Sequence, residues 1–86
     1  MNINEVLSLI EESKKFLEPY KIYGPMITDG ILQLSKLEKL VSDKEYGSAL
    51  KMSCIMCDQI SGYRNFVPRL ADNLDKIREI LSENKE

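Results

Sequence analysis

The sequence predicts an all-α fold: a small antiparallel bundle of four helices, or of three if the third runs on through Pro68 with a kink. Three observations predict it. Apolar residues recur at spacings of three and four along nearly the whole chain, the period of a helix that buries one stripe. Neither a sustained apolar–polar alternation nor an Asn-Gly or Asp-Gly hairpin turn occurs, so strand signals are missing. The proline- and glycine-bearing breaks are short, which favours antiparallel neighbours.

The first helix is expected over 3–18. Asn2 and Glu5 have the spacing of a capping box, Ile3, Val6, Leu7, Ile10 and Leu17 share a face, and Pro19 stops the segment. The stretch 19–25, "PYKIYGP", is the clearest connection, with Pro25 at the first position of the next helix and Tyr20 and Tyr23 expected over the end of the bundle. The second helix, 25–42, steps through Ile27, Gly30, Leu34, Leu37 and Val41. Gly30 lies within that stripe, where the missing side chain lets another helix come close.

Ser42 or Asp43 is placed to cap a third helix over 44–63, with Glu45 acidic in its first turn. Tyr46, Ala49, Leu50, Ser53, Cys57 and Ile60 form its inward face. Gly62 and Pro68 predict a turn or kink. A fourth helix, 67–83, then steps through Val67, Leu70, Leu74, Ile77 and Leu81, with Ala71 and Ile80 beside them.

The whole chain reads as one domain over residues 1–86, a size at which association often supplements a small core. Twelve basic and fourteen acidic residues give a net charge of −2, which argues against a reader of nucleic-acid phosphates. Arg64, Arg69, Lys76 and Arg78 make the second half locally basic, but Asp72, Asp75 and Glu79 cancel most of that field. No segment approaches the roughly 18 apolar residues of a membrane span, and the first residues lack a basic leader. The expected location is cytoplasmic.

The stretch "MSCIMCDQ", 52–59, holds the only two cysteines of a chain without histidine. A zinc site needs four ligands, and neither a second CxxC nor a histidine pair is present. Cys54 and Cys57 are therefore metal candidates only if two chains pool them or Asp58 supplies a carboxylate. Three turns inside a helix they also lack the dipole that activates a redox thiolate. As a packing element, Cys57 falls on the inward stripe and Cys54 on its margin.

The absence of histidine removes the commonest general base, and the carboxylate pairs Glu11–Glu12 and Asp72/Asp75 sit on polar faces. Four isolated glycines build no phosphate loop. No catalytic residue and no cofactor is assigned, and an enzyme is not expected. What stands out is apolar surplus off the main stripes: Leu9, Phe16, Leu32, Met52 and Ile55. Adaptable methionine in such a patch suits a helical contact surface. The expectation is a non-enzymatic protein–protein interaction module, regulatory, adaptor or inhibitor/immunity-type. It acts as a homodimer through Leu32, Met52 and Ile55. The alternatives are a thiolate metal-binding protein using Cys54 and Cys57 across a dimer, and a small nucleic-acid-binding regulator.

Overall fold

Among the described residues, 3–60 and 68–83 of the chain in the computed structural model, four α-helices and one 3-10 helix are found. They are α1 (Ile3–Leu17), the 3-10 helix Glu18–Tyr23, α2 (Pro25–Ser42), α3 (Tyr46–Ile60) and α4 (Pro68–Glu83). The result is an all-α four-helix bundle, 39 × 22 × 18 Å, in which adjacent helices pack antiparallel. Each helix packs on its neighbours in the chain, and α4 closes the ring on α1. The contact between α2 and α3 is the least extensive of the four.

Local chemistry sets the boundaries. Pro19 has no N–H to offer the carbonyl four residues back, so α1 gives way at Glu18 to the tighter 3-10 helix. Gly24 takes φ 132° and ψ 178°, a conformation open in practice only to glycine, and Pro25 follows at the first position of α2. Asn2 of the expected capping box, the 61–67 break with Gly62 and Val67, and the side chain of Tyr23 lie outside the described residues. Tyr20 is 48% exposed and does not seal the bundle end as expected.

The turn between α2 and α3 also departs from expectation. Lys44 sits at φ 65°. Its N–H donates to the Val41 carbonyl at 3.1 Å, and the Glu45 N–H donates to the Leu40 carbonyl at 2.9 Å. This is a Schellman closure with lysine in the left-handed position that glycine normally takes. Ser42 and Asp43 therefore belong to the end of α2. The cap of α3 is Glu45, whose carbonyl accepts the first helical bond from the Ala49 N–H at 2.9 Å, so α3 begins at Tyr46. Because a β-carbon at positive φ is strained, Lys44→Gly is expected to raise stability by about 0.5–1 kcal/mol. Chemical denaturation of the two proteins checks it; an unchanged or lower midpoint counts against the turn as described.

The core draws on every helix: Val6, Ile10 and Leu17 from α1, Leu34, Leu37 and Val41 from α2, Ala49, Met56 and Cys57 from α3, and Leu70, Leu74, Ile77, Ile80 and Leu81 from α4. Gly30 permits one close approach, since a β-carbon there would stand 3.3 Å from Leu17 Cδ1. Among the described residues, two buried polar side chains interrupt this core, Ser13 and Ser53. Ser53 Oγ donates to the Leu50 carbonyl at 2.7 Å. Ser13 Oγ donates to the Leu9 carbonyl at 2.8 Å and accepts from Asn73 Nδ2 at 3.2 Å, joining α1 to α4.

Candidate functional site

Four antiparallel helices bury more than one stripe each, and this disposes of most of the apolar surplus. Leu9 and Met52 are half-buried against the core. Phe16 is half-buried, with the Arg69 guanidinium 5.0 Å from its ring centroid, a cation–π contact. Met52 is thus a shoulder of the core more than a free contact residue. Leu32 and Ile55 are different, at 55% and 57% exposed.

These two are placed alike. Each lies roughly opposite the buried stripe of its helix: Leu34, Leu37 and Val41 for α2, and Ala49, Ser53 and Cys57 for α3. Leu32 stands eleven residues before Asp43 and Ile55 ten after Glu45, so at 1.5 Å per residue both are about 15 Å from the turn. They occupy the same height on adjoining antiparallel helices.

Neighbours fix which way the flanks point. Glu38 accepts from Lys14 Nζ at 3.1 Å and so marks the α1 side of α2. Asp29, Gln33 and Lys36 are on the other flank, toward α3. Cys57, which hydrogen-bonds the Asp75 side chain, marks the α4 side of α3. Met52 and Gln59 lie on the flank toward α2. The outer α2/α3 face therefore carries Leu32, Ile55 and the edge of Met52 among Asp29, Gln33, Lys36, Ser48 and Gln59. Asp29 and Lys36 carry no motif that marks them in the sequence; their signal is spacing alone, one turn on either side of Leu32 on the same helical face.

A second apolar group lies at the opposite end from the α2–α3 turn, where Ile22 is 84% and Met26 60% exposed beside Tyr20. An open groove between α1 and α2 is lined by Leu7, Ser8, Glu11, Ser35, Glu38, Lys39 and Ser42, a mix of hydroxyls, carboxylates and one lysine. No group of three or more potential metal ligands occurs among the described residues.

The CxxC pair is split by its helix: Cys54 is exposed and Cys57 buried. Burial is the main cause that pushes the Cys57 thiol up to about 11. Asp75 adds to the effect by its charge and its hydrogen bond, and Arg78 opposes it. A metal or redox role for Cys57 requires loss of a proton that the core retains far above neutrality. At pH 8 a disulfide-exchange reagent is expected to titrate one thiol per folded chain and two in denaturant. Since the folded pKa lies above the ordinary value of 9.0, burial of Cys57 contributes stability in full below pH 9 and loses it between about 9 and 11. The stability gap between the protein and Cys57→Ala should therefore narrow over that window. A gap that widens, or two thiols reacting together in the folded chain, would contradict the placement.

The fold is an all-α four-helix bundle, and its outer α2/α3 face exposes Leu32 and Ile55. No family model, curated protein or solved structure matches the chain.

Proposed function

We propose that the protein is a small non-enzymatic interaction module that binds another protein through the outer face of α2 and α3. One observation carries the reading: the off-stripe apolar residues of α1 are drawn against the core or capped by Arg69, whereas Leu32 and Ile55 stay more than half exposed at one height on adjoining helices. Leu32 and Ile55, exposed at one height on adjoining helices with Met52 on the flank between them, offer a shallow apolar anchor for a face of similar shape. The mechanism is occlusion or bridging by a preorganised helical surface. Rigidity comes from the core beneath it, so little ordering entropy is lost on binding.

Photo-crosslinking tests this directly. A photo-activatable residue in place of Ser48 or Gln59, beside the apolar pair without removing it, is expected to give protein adducts in the native cell. The same residue in place of Glu12 or Glu79, exposed on other faces, should give none. Absence of any protein adduct at 48 and 59, the chain's own copies included, would end the proposal.

A further inference from the structure

Charge arrangement on the same face points to its occupant. Along α2, Asp29, Leu32 and Lys36 are exposed and share a stripe, the carboxylate about one turn toward the helix start and the ammonium about one turn toward its end. Neither Asp29 nor Lys36 makes an ion pair with another described residue. A stripe of this form complements itself when reversed: a second α2 laid antiparallel sets Asp29 against Lys36 and Lys36 against Asp29, with the two Leu32 side chains between them.

The neighbouring helix obeys the same reversal. The midpoint of 29 and 36 on α2 and the midpoint of Met52 and Gln59 on α3 lie at equal distances from the α2–α3 turn, eleven or so residues on either side. One twofold axis, perpendicular to the helices at the height of Leu32 and Ile55, therefore serves both. It lays α3 on α3 with the Ile55 side chains adjacent and Met52 facing Gln59. It also sets Lys39 against Met26 and Lys51 against Ile60, so no like charges meet along either helix. Such an isologous contact closes on itself as a dimer.

We infer that the α2/α3 face is the seat of a second copy of this chain, paired antiparallel, with reciprocal Asp29–Lys36 contacts on both sides of a Leu32/Ile55 centre. The inference rests on the reading of this face as a contact surface and names its partner. The contact is small and wet at its rim, so association in the micromolar range is expected.

Sedimentation velocity from a few micromolar to several hundred micromolar tests the pairing. The unmodified chain should pass from monomer to dimer. Asp29→Lys and Lys36→Glu, each counted twice by symmetry and each replacing attraction by repulsion, should raise the dissociation constant about tenfold or more. The double variant Asp29→Lys/Lys36→Glu should return to within about threefold of the original. These positions are exposed, and unchanged helical circular dichroism verifies folding; Lys36→Gln, which removes attraction without adding repulsion, supplies a milder second variant with an intermediate effect. Recovery in the double variant distinguishes this register from any other apolar association. A chain that stays monomeric throughout, or a dimer indifferent to both single reversals, overturns the inference. If adducts at 48 and 59 then carry only foreign proteins, the contact surface stands and self-pairing alone is lost.

Discussion

Truncating Ile77 to alanine is expected to lower the unfolding free energy by about 2–5 kcal/mol. Ile77 is fully buried on α4, the helix that closes the ring and packs against both α3 and α1. Removing its outer carbons forfeits their transfer free energy and leaves a void that a ring of four helices closes only in part, because each helix is held by two others. A domain of 86 residues has a stability of about 4–13 kcal/mol in all, so the variant should be largely unfolded at physiological temperature if the parent lies at the lower end. Urea denaturation followed by circular dichroism measures it. A loss under about 1 kcal/mol would mean that the α4 stripe is not the keystone the burial pattern makes it.

Ser13→Leu is the second large effect, and here pattern and packing give opposite signs. Ile3, Val6, Ile10, Ser13 and Leu17 step three, four, three, four, so a leucine at 13 completes the apolar stripe and, judged by pattern alone, stabilises the helix. In the bundle Ser13 is fully buried, its hydroxyl bound to the Leu9 carbonyl and to Asn73. Leucine overfills the α1–α4 seam at a cost of about 1–3 kcal/mol and strands the Asn73 amide for about 1 kcal/mol more. Ser13→Ala separates the two costs, since it keeps the space and removes only the acceptor. Equilibrium unfolding of both variants decides the matter: a leucine variant as stable as the parent would show that the seam has room.

Helix periodicity is a property of the chain by itself, which is why the class of fold and the stripes of α2 and α4 were legible from residue order. Caps are less so. Ser42, Asp43 and Glu45 all have chemistry suited to a helix start, and only the left-handed Lys44 decides which of them is used. Met56 is not legible from the spacing because Cys57 beside it completes the same stripe, yet both are buried. Surplus apolar residues are the least legible from residue order. Whether Leu9, Phe16 or Met52 faces water depends on how far neighbouring helices reach round, a tertiary quantity that no spacing encodes. Leu32 and Ile55 could be named from sequence, but their equal height follows from the tight turn at 43–45, and the significance of Asp29 and Lys36 follows from that height.

The order of the ring has a kinetic consequence. Three of its four contacts join helices consecutive in the chain, and local contacts of that kind form early and fast. Only α4 against α1 demands closure of most of the polypeptide, and the loop entropy of that closure is met last. The Asn73–Ser13 hydrogen bond spans sixty positions across this final seam. Changes there should act on the rate at which the bundle opens and leave the rate at which it forms nearly untouched. The seam is then a latch that sets lifetime, while the helical hairpins set speed.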